Sequence, residues 1–250
     1  MPATHQPGPA PFTETADIET ASAGYAARFA GPVGRWMLDL QQQTVEKLLP
    51  PAPATLLDVG GGHGQLANPL CKKGYAVTVL GSDASCGIRI ADAVSQGQCR
   101  FVTGDLIAPP FADGSFDVAL SVRLLPHCED WPALIAGLCR VARRSVIADY
   151  PVTKGLNALA PALFGAKKKM EGNTRRWRAF SDEELRAEFA RHGYQPRRRH
   201  AQFFLPMALH RMLKCRPLSQ AMESCFAAAG LTRRWGSPVI AEWRKEDSRP

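Results

Sequence analysis

Residues 56–67 read LLDVGGGHGQLA. The apolar positions Leu56, Leu57 and Val59, with Asp58 among them, give way to Gly60, Gly61 and Gly62, then to His63 and Gly64, before helix-compatible residues resume. That pattern predicts a strand, a tight turn and the start of a helix. Glycines let the backbone take dihedrals closed to other residues, and without a Cβ they let a ligand lie against the main chain. The turn is therefore expected to cradle a small molecule. His63, inside it, shapes the loop.

Moving outward, short apolar runs alternate with helical patterns. Strands are predicted at 76–80, 100–103, 116–122 and 145–148, with helices to about residue 73 and over 134–141. Asp83, Asp105 and Asp149 fall just beyond strand ends, as Asp58 does at the first. Such alternation argues for an α/β fold, a mostly parallel sheet with helices on both faces and ligands beyond the carboxyl ends of its strands. Upstream, 25–49 is helical, broken at Gly31-Pro32 and ended by Pro50-Pro51. Tyr25 and Arg28 stand one turn apart there, placed either to close over a ligand or to pack a surface helix. Residues 1–20, rich in Pro, Thr and Ala, predict a mobile tail outside a domain running over 21–250.

Beyond Pro151 the rhythm changes. Residues 151–180 and 206–236 read as insertions, separated by a capping box from Ser181 to Glu184, a helix stopped by Gly193, and a sixth strand over 197–205. One or two helices broken near Pro217 follow, then a closing strand over 238–243.

Of the 250 residues, 31 are Lys or Arg and 23 Asp or Glu, and the excess is uneven: residues 1–150 carry a net −3 and residues 151–250 a net +11. A basic rear third suits an anionic partner, or is simply a solvated surface. The seven cysteines, an odd number, show no CxxC and no zinc-site spacing, so free thiols in a cytoplasmic protein are expected. The first ten residues lack the basic and apolar segments of a leader, and no apolar run approaches the ~18 residues needed to cross a bilayer.

The glycines admit two registers. Read from Gly62, they and Ala67 spell the GxGxxA of a dinucleotide site, with Asp83 near the ribose distance. That fingerprint needs its first glycine directly after the strand, however, and the strand ends by Val59. Asp58-x-Gly60-x-Gly62-x-Gly64 fits the position better. In this register the chain resembles the class I S-adenosylmethionine-dependent methyltransferases, most of all those acting on small molecules such as quinones, polyketides and sterols. LDVGGGHG resembles the family's first motif. The resemblance implies that Asp58, Gly60, Gly61, Gly62 and Gly64 hold the methionine end of the cofactor. It further implies that Asp83, beside Ala84, binds both ribose hydroxyls, and that Asp105 and Leu106 in FVTGDL meet the adenine. Residues 25–151 carry it, through PFADGSFDVALS and SVRLLPHCEDW to CRVARRSVIADYP. The family's Leu-Lys-Pro-Gly-Gly turn before the fifth strand is missing, and no NPPY-like motif follows the fourth. A seven-stranded sheet with an antiparallel last strand is implied.

Methyl transfer needs an aligned acceptor and, for a hydroxyl, removal of its proton. His127 is the base candidate, or else caps the next helix or contacts the cofactor. Arg123 can grip a carboxylate of substrate or cofactor, or form a structural ion pair. Tyr150 is expected to face the acceptor. Asn173, Thr174, Arg175, Trp177, Phe203, Phe204 and Met207 are the candidate acceptor wall, suited to a hydrophobic acceptor with an anionic end, delivered in one version from a membrane surface. No metal-ligand cluster stands out, so a metal-free site is expected. Two rival readings remain: an RNA methyltransferase using Lys167–169, Arg175, Arg176, Arg178 and Arg197–199 to track phosphates, with Trp177 interleaved to stack a base, and a cofactor-binding regulator without turnover.

Overall fold

The computed structural model describes residues 12–155 and 177–246. Seven strands form one sheet in the order β3-β2-β1-β4-β5-β7-β6. They are β1 (Thr55–Val59), β2 (Ala76–Gly81), β3 (Arg100–Thr103), β4 (Phe116–Ser121), β5 (Ala142–Tyr150), β6 (Tyr194–Ala201) and β7 (Val239–Lys245). β1 to β5 run parallel, while β7 is antiparallel to both β5 and β6. The implied antiparallel last strand is therefore present. Strand order reverses between β1 and β4, which places the glycine turn after β1 at the switch point where open α/β sheets bind ligands.

Residues two apart on a strand face one side of the sheet. Leu57 and Val59 accordingly join one buried cluster and Leu56 the other. Helix α6 (Trp131–Val141) covers the first side with Leu134, Ile135 and Leu138, and α7 (Asp182–Arg191) with Leu185 and Phe189. On the second side lie α3 (Gly31–Leu48), through Val45 and Leu48, α4 (Ala67–Lys72), through Leu70, and α5 (Ala91–Ser95), through Ala93. The Ser181 hydroxyl accepts the Glu184 N–H at 3.1 Å, so the capping box does start α7.

Three expectations need correction. Residues 12–20 are part of the fold: α1 (Ala16–Ala21) lies against the glycine turn, and Ala16 and Asp17 are buried. Short helix α2 (Ala23–Ala27) then carries Tyr25. The sixth strand starts earlier than predicted and ends at Ala201, because Phe203 leaves the sheet to pack against Trp36 and Met37 of α3. Pro196 is tolerated in it because β6 is the edge strand. The C-terminal insertion holds three helices, α8 (Met207–Leu213), α9 (Arg216–Ala228) and α10 (Leu231–Trp235), with Pro217 in the first turn of α9.

Candidate active site

The turn after β1 is built as its composition demands. Gly60 has φ +74°, and a Cβ on Gly61 would stand 2.1 Å from Asp58 Oδ2. Only glycine lets the chain pass so close to that carboxylate. Asp58 is fully buried with no partner for either oxygen, and burial pushes its pKa up to about 7 against the opposing pull of Arg123. Burial, seconded by Arg123, holds His63 well below the usual histidine range; its Nδ1 accepts the Gln65 N–H at 3.2 Å, which fixes the loop.

Arg123 is the hub. It follows β4 with φ +63°, and its backbone N–H donates to Asp149 Oδ1 at 2.6 Å. Its guanidinium lies over the rings of Tyr25 (5.6 Å) and Phe29 (5.1 Å). The side chain is buried, Nε has no hydrogen-bond partner, and Asp149 and Asp58 act on it as counter-charges. Gln41 Nε2 donates to the second oxygen of Asp149 at 3.0 Å. Burial still raises the Asp149 pKa to about 6.

Arg123, Asp149 and Gln41 open onto a cavity of about 280 Å³, also lined by Tyr25, Phe29, His127, Trp177, Gln202, Met207 and Arg211. His127, Arg123, Tyr25, Trp177 and Met207 are thus brought together. Tyr150 is not: it is buried on the other side of the sheet, where its hydroxyl donates to Asp182 Oδ1 at 2.9 Å. Strand alternation is the cause, since Asp149 faces the cavity and its neighbour must face away. Phe203 and Phe204 also turn from the cavity, the first into the Trp36 cluster and the second onto Phe226 at 4.5 Å. Gln202, buried between the two flanks, faces the cavity instead. Asn173, Thr174 and Arg175 lie outside the described residues. Gln41, Phe29 and Asp149 are site residues that sequence reasoning missed in this role. Only Asp149, at a strand end, carried any signal.

The remaining cofactor candidates ring the same strand ends. Asp83 caps the short turn over residues 84–90, accepting the Ser85 N–H at 2.8 Å, with Ala84 exposed beside it. Asp105 accepts the Ile107 N–H at 3.0 Å, and Leu106 is fully buried. Arg28 pairs with Glu19 at 3.6 Å and lies over the Tyr25 ring at 5.2 Å. Across all of this runs the segment 14–21. Glu14 accepts the Glu129 N–H at 2.9 Å beyond β4, and Asp17 accepts both the N–H (2.7 Å) and the hydroxyl (2.5 Å) of Ser82 beyond β2.

The donor set suits an S-adenosylmethionine molecule. Asp58 offers a buried carboxylate with both oxygens unpaired, the counter-charge an ammonium needs, and Asp83 offers an accessible one for paired hydroxyls. Residues 57–147 match the family model of the methyltransferase domain.

Residues 57–147 carry a class I S-adenosylmethionine-dependent methyltransferase domain.

Relatives of this domain agree. The ubiquinone biosynthesis O-methyltransferase of Caulobacter vibrioides is 30% identical over 145 residues, 54% of this chain and 57% of that one. A demethylmenaquinone methyltransferase from Thermus thermophilus is 29% identical over 124 residues, 47% of this chain and 54% of the relative. The chain thus spans little more than half the length of these relatives. In fold, the domain is similar to the magnesium protoporphyrin IX methyltransferase of Synechocystis, at a TM-score of 0.60 and 17% identity, over 91% of this chain and 96% of the other. Among the described residues no cluster of His, Cys, Asp or Glu could hold a metal, and no helix is long and apolar enough to cross a membrane.

The basic tract is less free than its sequence implied. Arg198 pairs with Glu242 at 2.6 Å and donates to the carbonyls of Lys47 and Leu48, while Arg199 pairs with Asp182 at 3.3 Å. Arg178 pairs with Glu184 and lies over Trp131. Lys167–169, Arg175 and Arg176 lie outside the described residues.

Proposed function

We propose that the protein transfers a methyl group from S-adenosylmethionine to a hydroxyl oxygen of a small hydrophobic acceptor bearing an anionic end. The observation that carries this reading is the cavity itself: apolar walls from Phe29, Met37, Met207 and Trp177 meet one buried guanidinium, Arg123, and one imidazole, His127. Bound cofactor supplies an electrophilic methyl carbon on a sulfonium. This chain's residues do the rest. Asp58 and the glycine turn hold the methionine end, Asp83 with Ala84 the ribose, and Asp105 with Leu106 the adenine. Tyr25 and Arg28 close the near side. Arg123, with Nε unpaired, turns its fork to the anionic end of the acceptor. His127 takes the hydroxyl proton, imidazole being the side chain suited to proton transfer near neutral pH. Residues 206–236, which bring Met207, Ala208 and Arg211 to the wall, roof the site together with Pro151 and Trp177, and no metal is needed. The protein works in the cytoplasm.

The test is mass spectrometry of a cell extract incubated with enzyme and methyl-deuterated cofactor. A phenol or lipid-like compound gains the label with wild-type protein and not with His127→Ala, while calorimetry shows the variant's cofactor affinity unchanged. Label confined to RNA, with binding that weakens steeply in salt, would mark the RNA reading as correct. Cofactor binding without transfer to any fraction would mark the regulator.

A further inference from the structure

Helix α8 carries Met207, Ala208 and Arg211 to the cavity wall. Met212, one turn beyond Ala208 on the same face, is 60% exposed, and Leu218, in the first turn of α9, is 47% exposed. All seven residues 212–218 are exposed: Met212, Leu213, Lys214, Cys215, Arg216, Pro217 and Leu218. Trp177, also on the cavity wall, is 51% exposed. Residues 207–222 contain Arg211, Lys214 and Arg216 and no acidic residue. The next acid, Glu223, is buried and turned inward, accepting from the N–H groups of Phe204 (2.8 Å) and Leu205 (2.9 Å) and facing His210 Nε2 at 2.9 Å. It fastens the elbow from beneath without cancelling its charge at the surface.

We propose that this α8–α9 elbow docks on the surface of a membrane containing anionic lipid, so that the mouth of the cavity opens at the bilayer interface. The inference rests on the reading of a hydrophobic acceptor with an anionic end, which such a membrane holds and delivers. Large apolar side chains interleaved with Lys and Arg are the chemistry that lies in an interface, the first among acyl chains and the second among headgroups. A second copy of the chain fits less well, since a two-fold contact sets the same three cations against their own image. Single-stranded RNA fits less well too, because residues 212–218 carry no aromatic ring beside their cations, which leaves Trp177 alone to stack a base.

The experiment is co-sedimentation of the full chain with phosphatidylcholine vesicles, with and without phosphatidylglycerol. Wild-type protein sediments with the anionic vesicles, and added salt releases it. Lys214→Glu with Arg216→Glu weakens binding about 25-fold, at roughly five-fold for each basic residue near an anionic surface. A Met212→Ser, Leu213→Ser, Leu218→Ser variant loses binding while keeping wild-type cofactor affinity by calorimetry. If that triple change unfolds the protein, the charge variant, confined to exposed residues, decides alone. Sedimentation of neither vesicle type by wild-type protein, or equal binding by the charge variant, overturns the proposal. So does a dimer in light scattering that the charge variant alters while vesicle binding stays absent, or retention by RNA in place of vesicles. Vesicle binding without label transfer to any lipid-like compound would refute the acceptor reading and leave the docking surface standing.

Discussion

Asp58 shows how burial sets the charge state of one residue in the proposed cofactor site. Its place in β1 fixes its backbone, the close passage of Gly61 seals it from water, and burial moves its pKa to about 7. The unfolded chain binds that proton only below about 4. Between those values the native state holds the extra proton, so this contribution to stability is full at low pH and is lost as pH rises through about 7. Asp58→Asn, which mimics the protonated acid, should therefore raise the thermal midpoint of the ligand-free protein at about pH 8 and leave it unchanged near pH 4. A gain equal at both pH values would show that Asp58 is not the group responsible. The same variant should lose cofactor affinity at least ten-fold, since an ammonium would lose its counter-charge. Arg123 is a companion case. Arg123→Lys keeps the charge but not the planar stack on Tyr25 and Phe29 or the bidentate fork, and should raise the acceptor KM more than it lowers kcat.

At the scale of elements, α1 lies over the glycine turn. It touches the turn directly, and its Asp17 satisfies two donors of Ser82 that would otherwise be buried unpaired. Leaving such donors unpaired costs about 1–3 kcal/mol each, so the Asp17 carboxylate holds the segment down. Asp17→Ala should speed both cofactor association and dissociation several-fold in stopped-flow measurements, with a smaller change in affinity. Identical rate constants would mean that α1 does not move when the cofactor enters. The sequence of residues 12–20 has little apolar content to announce this helix. Its burial comes from polar groups matched to partners 65 and 115 residues away.

For the molecule as a whole, the last strand is the keystone. β7 lies between β5 and β6, bonding to both, and Trp243 stacks on Phe189 of α7 at 4.3 Å between ring centroids. Removing the chain after Trp235 should therefore abolish cooperative unfolding, because β6 would lose its neighbour and β5 would become an open edge. Trp243→Ala alone should cost about 3–5 kcal/mol in urea denaturation. A loss below about 1 kcal/mol would show the stack to be incidental. Charge is distributed on the same scale: Arg198, Arg199 and Arg178 pair with Glu242, Asp182 and Glu184, acids of the same basic third.

The sequence by itself determined the parallel strands, the glycine turn, the acidic residues at the strand ends and the capped helix α7. Each rests on local chemistry: short continuous apolar runs, backbone room at glycine, and a hydroxyl capping its own helix. Only the tertiary structure decided which side of the sheet Tyr150 and Asp149 face, that Phe203 feeds the core while Gln202 meets the cavity, and that residues 14–21 cross the strand ends. Those outcomes depend on contacts between residues far apart in the chain, such as Gln41 with Asp149 and Phe203 with Trp36. A one-residue shift along an extended segment exchanges its two faces, and it is distant packing that selects the register.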